Sequence, residues 1–197
     1  MQEAFIVVRD LACRRGDRLL FTNLSFTMKA GEALHVAASN GIGKSSLLRI
    51  VAGLAPAFAG NVERQGSVGL IDERPALDPH LPLGKALGFW QDLDHAAEAP
   101  LARLGLSELI DVPVRYLSTG QKKRAALARL IGQRAPLWLL DEPLNGLDRH
   151  AMELTERLVA EHCAEGGIAL IASHQPFVLP EMRKLQLADY AVTDYAA

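Results

Sequence analysis

The sequence predicts an α/β fold in which buried parallel strands alternate with helices. Leu137–Leu140 and Ile168–Ala172 are short apolar runs, each bounded by turn residues and followed by polar groups, as is typical of buried parallel strands. A third apolar run, Ala33–Ala37, leads directly into a glycine-rich loop and a helical pattern. Ligands of such folds bind at the carboxyl ends of the strands, and the candidate site residues are found there.

Two further strands and one helix are expected in the N-terminal part of the chain. Phe5–Leu11 and Leu19–Thr27 alternate partially between apolar and polar residues, which is typical of half-buried strands. The glycine-rich loop opens a helix over Lys44–Ala52, whose apolar residues share one face and whose stop signal is Gly53. An N-terminal β-rich subdomain is therefore predicted.

The middle of the chain has no comparable strand and is predicted to be an inserted helical subdomain. Helical patterns occur at Leu83–Leu93, Ala99–Leu104 and Gln121–Ile131. We expect one domain over residues 1–197, in which residues 1–72 and 132–197 form the core and residues 73–131 form the helical subdomain.

Composition and charge exclude several functions. The 197 residues carry a formal net charge of -2, so bulk electrostatics indicate no nucleic-acid partner. No apolar run approaches the roughly 20 residues that cross a bilayer, and the start lacks a basic, apolar leader, so another subunit must supply any membrane span. Cys13 and Cys163 are expected to be free thiols. Because no Cys-x-x-Cys-His run occurs, we expect no covalent haem attachment, and we place no direct haem ligand on this chain.

The glycine-rich loop has the composition of a phosphate-binding site. Glycines permit turns that aim backbone N–H groups at phosphate oxygens, and the following helix contributes its positive end. Lys44 is expected to reach the β- and γ-phosphates, and the Ser45 hydroxyl to ligate Mg²⁺. A glycine-rich turn with a chance lysine is the competing interpretation. The expected nucleotide-binding residues are Ala38, Ser39, Asn40, Gly41, Ile42, Gly43, Lys44, Ser45 and Ser46.

One position departs from the phosphate-loop pattern G-x-x-x-x-G-K-[ST]. Ala38 replaces its first glycine. If this position requires a positive φ, alanine costs about 1 kcal/mol or more, whereas at an ordinary φ the replacement is nearly free. The sequence leaves both possibilities open.

Polar residues follow two of the predicted strands and suggest catalytic roles. Asp141 is expected to hold Mg²⁺, and Glu142 to orient and deprotonate the attacking water. His174 follows the next strand, at a position from which a hydrogen-bond donor could reach the γ-phosphate. Alone, each of these residues is more often solvated or structural, but their combination with Lys44 favours the functional interpretation.

The Leu117–Gln121 segment begins a helix within the predicted insertion. Ser118 and Gly120 offer a hydroxyl, exposed N–H groups and a positive helix end, which are suited to binding a phosphate. Because we expect this segment to lie away from the phosphate loop of its own chain, we predict that it completes the nucleotide site of a second subunit. An ordinary N-cap before a basic helix is the alternative.

The order of these motifs resembles the nucleotide-binding domains of ABC transporters over nearly the whole chain. The resemblance implies a P-loop NTPase fold of the ABC ATPase type, ATP as the substrate and Mg²⁺ as the cofactor. It also implies a signature segment that acts in trans across a head-to-tail dimer of two copies. The residues matched to the phosphate-loop, Walker B, switch, signature and D-loop positions are Lys44, Ser45, Asp141, Glu142, His174, Ser118, Thr119, Gly120, Gln121 and Asp148.

Several individual segments of the sequence resemble those of the cytochrome c biogenesis ATPases of the CcmA, haem-exporter type. Cys13–Phe21, Ser39–Gly41 and Ser173–Pro176 carry much of this resemblance. It implies an ATPase bound peripherally to the cytoplasmic face of the bacterial inner membrane, together with integral membrane subunits. There, ATP hydrolysis is linked to the release of a haem-loaded periplasmic chaperone during c-type cytochrome maturation.

Three features depart from the pattern of the family. Arg15 takes the place of the aromatic residue that stacks on adenine, and since a guanidinium can also stack on a base, we expect weaker nucleobase discrimination. The Q-loop glutamine is absent, and Glu73 in the same region is a candidate Mg²⁺ ligand. Thr119 replaces the commoner glycine of the signature.

Three function classes remain open at this point. The first is a transport-type ATPase docked to the membrane subunits of haem maturation. The second is the ATPase of another small ABC transporter with a different cargo. The third is a soluble, non-transport ABC ATPase. Proteins of the third class usually carry two cassettes or long insertions in one chain, and this sequence has neither.

Overall fold

Two sheets organise the part of the chain that the computed structural model describes, residues 3–94 and 100–192. The first is antiparallel and contains β1 (Phe5–Arg15), β2 (Arg18–Lys29) and β4 (Ala59–Gln65) in the order β2-β1-β4. Residues on one side of the β1–β2 hairpin, such as Ile6 and Leu24, are completely buried and pack in the core. The predicted N-terminal β-rich subdomain is thereby confirmed.

The second sheet is parallel and has five strands in the order β5-β6-β7-β3-β8. Its central strands are buried on both faces, which explains their uninterrupted apolar sequence. The strands are β3 (Ala33–Ala37), β5 (Val68–Ile71), β6 (Leu137–Asp141), β7 (Ile168–Ser173) and β8 (Arg183–Gln186).

Four α-helices lie in the described part of the chain. They are α1 (Lys44–Val51), α2 (Leu83–Asp94), α3 (Thr119–Gln133) and α4 (Arg149–Ala164). None of the helices within residues 3–94 and 100–192 combines the length and the apolarity that a membrane span requires.

The core is divided between the two faces of the parallel sheet. Alternate residues of β6 point to opposite faces. Leu139 packs with the antiparallel sheet and α1, whereas Leu140 packs with the helices that follow β5 and β6. This layering holds the start of α1 and the end of β6 rigidly at the same edge of the sheet.

The predicted central strands and the α1 helix are confirmed, and one predicted helix is wrong. Ala99 lies outside the described residues, and residues 101–105 form turns rather than a helix. Leu104 donates to Pro100, but Gly105, with φ of 61°, ends the segment after a single turn. Strands β4, β5 and β8 are not predicted by the sequence patterns. The division of the chain at residues 72 and 132 stays a prediction.

Candidate functional site

The carboxyl ends of three adjacent strands bring the predicted site residues to one edge of the parallel sheet. Ala37 of β3 pairs with Ser173 of β7, and Asp141 of β6 pairs with Ala172 of β7. Because these strands are parallel, the segments that follow them leave the sheet on the same side. The loop after β3 and the residues that follow β6 and β7 therefore meet there.

Residues 38–43 form the loop between β3 and α1. Gly41 and Gly43 adopt left-handed conformations, with φ of 86° and 113°. The backbone at Gly43 therefore favours glycine, and a Cβ atom there would also come within 3.1 Å of the Phe21 ring, which would have to shift. Ala38, by contrast, does not adopt a positive φ. Alanine therefore causes no backbone strain at the position where the phosphate-loop pattern has its first glycine.

Lys44, the first residue of α1, is only 6% exposed and folds back under this loop. Its Nζ donates to the carbonyl oxygens of Ala38 and Ser39 at 2.8 and 3.2 Å, and to Asn40 Oδ1 at 3.3 Å. It also forms an ion pair with Glu142, with 3.1 Å between Nζ and Oε1. The ammonium group thus lies between the loop and the end of β6, with oxygen partners on both sides.

Asp141 ends β6 and is 3% exposed. Burial raises its pKa, and a hydrogen bond with Ser45 at the start of α1 offsets only part of this effect. The Oδ1 atom of Asp141 is buried and has no hydrogen-bond partner among the described residues. A buried carboxylate oxygen without a partner, close to a serine hydroxyl, is the oxygen donor set that Mg²⁺ prefers. The residues present therefore fit this cofactor.

The Glu142 side chain is 12% exposed and has a partner for each of its carboxylate oxygens. Besides the ion pair with Lys44, its Oε2 accepts hydrogen bonds from Ser173 Oγ at 3.2 Å and from His174 Nδ1 at 2.9 Å. Burial by itself raises the pKa of Glu142, but the hydrogen bonds from His174 and Lys44 outweigh it and hold the pKa below its usual range. Glu142 is therefore ionised at neutral pH, as a general base must be.

The backbone of Glu142 is also held by several partners. Its φ is 46°, which is unusual for a residue other than glycine. The N–H donates to the carbonyl oxygen of Ala172 at 2.8 Å, and the carbonyl oxygen accepts from Asn145 N and from Lys123 Nζ. Lys123 was not among the predicted site residues. Its only signal in the sequence is the basic triplet that follows Gln121.

Glu73 follows β5 at the same edge of the sheet and is exposed. After burial and the Glu142 charge, the charge of Glu73 contributes to the raised pKa of Asp141. The neighbouring Asp72 is engaged by Arg49, with 3.3 Å between the charged atoms. A role for Glu73 in holding Mg²⁺ stays a prediction.

The Ser118–Gln121 segment forms a capping box at the start of α3. Ser118 Oγ accepts from the Gln121 N–H at 3.2 Å, and Gln121 Oε1 accepts from the Ser118 N–H at 2.8 Å. Within the described residues, these side chains make no hydrogen bond to the phosphate loop of their own chain. The N-cap role, one of the two interpretations of Ser118, is therefore present, and its exposed hydroxyl also remains accessible to a second molecule.

The predicted D-loop lies directly against this segment. A side chain at Gly120 would come within 3.3 Å of the Gly146 carbonyl oxygen, and one at Gly146 within 2.9 Å of Thr119. Asp148 accepts a hydrogen bond from the Ala151 N–H at 2.8 Å and so caps α4. The structure thus brings the signature and D-loop segments together within one chain.

Arg15 lies at the exposed end of β1, where the hairpin pairs it with Arg18. The same hairpin borders the phosphate loop, because Phe21 packs against Gly43 and Cys13 forms a hydrogen bond with Ser46. Arg15 therefore belongs to the element next to the candidate nucleotide site. Its contact with a base stays a prediction.

Comparison with known proteins agrees with this geometry. The ABC transporter family matches residues 21–145. The cytochrome c biogenesis ATP-binding export protein CcmA of Novosphingobium aromaticivorans is 59% identical over 190 residues, which cover 96% of this chain and 99% of that protein. The chain belongs to the CcmA family of ABC transporter ATPases. The CcmA of Zymomonas mobilis is 48% identical, with 95% of this chain and 86% of that protein covered.

Solved structures agree on the fold of this CcmA-family chain. An ATP-binding subunit of an ABC transporter superposes with a TM-score of 0.77 at 23% identity, over 86% of this chain and 79% of that one. The cbiO1 protein of Clostridium perfringens, part of the ABC transporter complex cbiONQ, gives a TM-score of 0.69 at 23% identity, over 88% and 80% of the two chains. The CcmA-family chain is thus an ATP-binding and ATP-hydrolysing subunit, and subunits of this class work with the membrane subunits of a transporter.

Proposed function

We propose that this chain couples ATP hydrolysis to haem handling in the maturation of c-type cytochromes, through the release of a haem-loaded periplasmic chaperone. The observation that carries the proposal is the 59% identity, over almost the full length of both chains, to a cytochrome c biogenesis export protein. The chain would act peripherally, on the cytoplasmic face of the bacterial inner membrane, bound to integral membrane subunits. The competing proposal, an ABC transporter ATPase with another cargo, predicts normal c-type cytochromes in its absence.

A deletion strain tests the cargo. We expect loss of covalently bound haem in c-type cytochromes, with b-type cytochromes unchanged, and recovery with the parental gene. Complementation with Glu142→Gln should fail, whereas Glu153→Gln should succeed, because Glu153 is a 58% exposed partner of Arg149 on α4. Normal c-type cytochromes in the deletion strain would refute the haem-linked role without refuting the ATPase activity. Purification with the native membrane subunits then allows chaperone release to be measured directly.

For catalysis, we propose that the loop N–H groups and Lys44 bind the β- and γ-phosphates. Ser45 and Asp141 would hold Mg²⁺, which neutralises developing phosphate charge when it is bound. Two observations support this proposal. The buried Oδ1 atom of Asp141 has no hydrogen-bond partner within the described part of the chain, and the Asp141 side chain is hydrogen-bonded to Ser45.

The ionised Glu142 carboxylate is the proposed general base. It would orient a water molecule and take its proton as the water oxygen bonds to the γ-phosphorus and the bond to the β-phosphate oxygen breaks. His174 would keep the carboxylate oriented through Nδ1, and its 38% exposed ring would be accessible to the γ-phosphate.

We further propose that two copies bind head to tail, so that Ser118, Thr119, Gly120 and Gln121 of one copy complete the phosphate site of the other, with Asp148 beside them. The exposed Ser118 at a helix N-terminus supports this arrangement, since its hydroxyl can donate to a phosphate oxygen and the helix presents its positive end there. Contact between Gly120 and Gly146 within one chain would let the signature and D-loop segments enter the shared site together.

Mixing of inactive variants tests the shared site. Lys44→Ala and Ser118→Arg should each inactivate both sites of their own dimers. In a mixed dimer, one site then contains both changes and the other contains neither, so ATPase activity should return. The control mixture is Lys44→Ala with Glu142→Gln, two residues of one ion pair, which leaves no site intact. Recovery in neither mixture would refute the action of Ser118 in trans.

A further inference from the structure

Lys123 connects the helix of the signature segment to the residue that follows β6. It lies in α3, two residues after Gln121, and its ammonium group donates to the backbone carbonyl oxygen of Glu142. The contact crosses between elements that are 19 positions apart in the sequence. No other side chain of the described residues makes a hydrogen bond to this carbonyl group.

The peptide that Lys123 contacts has an unusual conformation. Glu142 adopts φ of 46°, which a residue with a Cβ atom avoids unless its surroundings hold it there. The Glu142 N–H also donates to Ala172, and the Glu142 carbonyl oxygen also accepts from the Asn145 N–H, so three hydrogen bonds hold the backbone of this residue. Within residues 3–94 and 100–192, Lys123 is the only charged donor to the Glu142 carbonyl oxygen, and a charged donor strengthens a hydrogen bond.

Burial lowers the pKa of Lys123, and the charges of nearby carboxylates counter part of this effect. Four carboxylates, those of Asp141, Glu142, Glu73 and Asp72, each raise the Lys123 pKa through their charge, against the lowering by burial. A cation at this place is therefore stabilised by the same acidic cluster that surrounds the candidate Mg²⁺ site. A neutral side chain of equal length would leave the cluster with less compensation and the Glu142 carbonyl group with one partner fewer.

We propose that Lys123 is a positioning residue for the reaction: it fixes the Glu142 peptide so that the carboxylate stays aimed at the attacking water. Since Lys123 follows Ser118 by five residues at the start of the same helix, it also passes any displacement of the signature helix to Glu142. Engagement of the signature by a second copy would then adjust the general base. This inference rests on the proposed role of Glu142 as that base.

The test compares Lys123→Met with Lys123→Arg in the full chain at saturating MgATP. We expect Lys123→Met to lower kcat about 10- to 100-fold, the effect of a small misplacement of a reacting group, while KM and nucleotide affinity stay near the parental values. Lys123→Arg keeps a charged donor and should recover most of kcat. Lys85→Met removes the same charge from an exposed position of α2 and should leave kcat unchanged.

Three outcomes would overturn the proposal: a parental kcat for Lys123→Met, an equal loss of nucleotide affinity and kcat, or no recovery with Lys123→Arg. If Lys123→Met does not fold, Lys123→Gln takes its place in the same comparison. Glu142→Gln separates this proposal from the one on which it rests. If Glu142→Gln keeps its turnover, the assignment of Glu142 as general base is wrong. If Glu142→Gln loses turnover but Lys123→Met does not, only the role proposed for Lys123 is wrong. When Lys123→Met is combined with Glu142→Gln, kcat should be no lower than in Glu142→Gln alone, because the base that Lys123 positions is already absent.

Discussion

Lys44 Nζ lies 3.1 Å from Oε1 of Glu142, so the cation expected to bind phosphate is paired with the expected general base. This hydrogen bond is one of the two that hold the pKa of Glu142 below its usual range against the effect of burial. A phosphate group that attracts Lys44 would weaken the pair and make the carboxylate more basic. In the proposed mechanism, phosphate binding and activation of the base would therefore be coupled through one contact.

Glu142→Gln should abolish hydrolysis while nucleotide binding is retained. The amide keeps the size of the side chain but cannot accept a proton, so we expect turnover to fall about 100- to 10,000-fold. ATP affinity, measured by titration, should stay close to the parental value because the loop and Lys44 are intact. Turnover at the parental rate would contradict the assignment of the base, and the exposed Glu153→Gln serves as the isosteric control.

Lys44→Ala should weaken the binding of ATP itself. Loss of one charge-assisted hydrogen bond costs about 1.5–3 kcal/mol, which corresponds to an increase in Kd of about 10- to 150-fold. Arg49→Ala provides the comparison, because Arg49 lies on the same helix but its ion pair with Asp72 is 56% exposed on the arginine side. Unchanged ATP affinity in Lys44→Ala, or an equal loss in Arg49→Ala, would contradict the role of Lys44.

The central strands were predictable because their burial on both faces leaves an unmistakable apolar run, as in Ile168–Ala172. Strand β4 was not, since all its residues are exposed or half-buried and its pairing with β1 sets its conformation. The helix predicted before Gly105 is wrong because a local pattern there is overridden by the backbone conformation. Its apolar residues fit a helical period, but the left-handed Gly105 and the preceding Pro100 restrict the segment to one turn.

Ala38→Gly should leave ATP affinity unchanged and lower the stability slightly. Ala38 has no positive φ, so glycine gains nothing in the folded state and adds freedom to the unfolded chain, at a cost of about 0.4–1 kcal/mol. Gly43→Ala is the opposite case, because its φ of 113° and the Phe21 ring at 3.1 Å disfavour a side chain. Thermal unfolding and nucleotide titration of both variants check the contrast; tighter ATP binding by Ala38→Gly would contradict it.

Arg15 should permit weak discrimination between ATP and GTP. If its guanidinium stacks on the base, Arg15→Tyr should raise the preference for ATP over GTP, by about 2- to 10-fold from aromatic stacking. Arg15→Lys keeps the charge but lacks the planar group, so it should lose affinity for both nucleotides. Competition titrations measure these ratios. A steep ATP preference in the parental protein would contradict the prediction.

The residue types of the site follow from its motifs, but its contacts do not. Lys44, Asp141 and Glu142 are recognisable because phosphate, Mg²⁺ and water each demand a particular side chain at a strand end. The contact of Lys123 with the Glu142 carbonyl group depends on how α3 packs across β6, which no local pattern records. Likewise, the ordinary φ of Ala38 depends on the path of the whole loop.

His162 should make the stability of the protein dependent on pH in the range where histidine titrates. Its ring stacks on Trp138, with 3.9 Å between the ring centroids and 7° between the planes, and its Nε2 lies 3.2 Å from the Pro136 carbonyl oxygen. Burial lowers the pKa of His162, and burial also lowers the pKa of His35. The unfolded chain therefore binds these protons at a higher pH than the folded chain does.

The sign of the dependence follows from this difference. The free energy of unfolding should be fully present above the unfolded pKa of about 6.5 and should decrease as the pH falls below it, by at most about 1.4 kcal/mol per pH unit for each histidine. Urea unfolding between pH 7.5 and 5.5 measures the slope. His162→Gln should flatten the slope, and His150→Gln, an exposed position on α4, should keep it. An equal slope in the parental protein and in His162→Gln would mean that the buried ring binds its proton as readily in the folded chain as in the unfolded one.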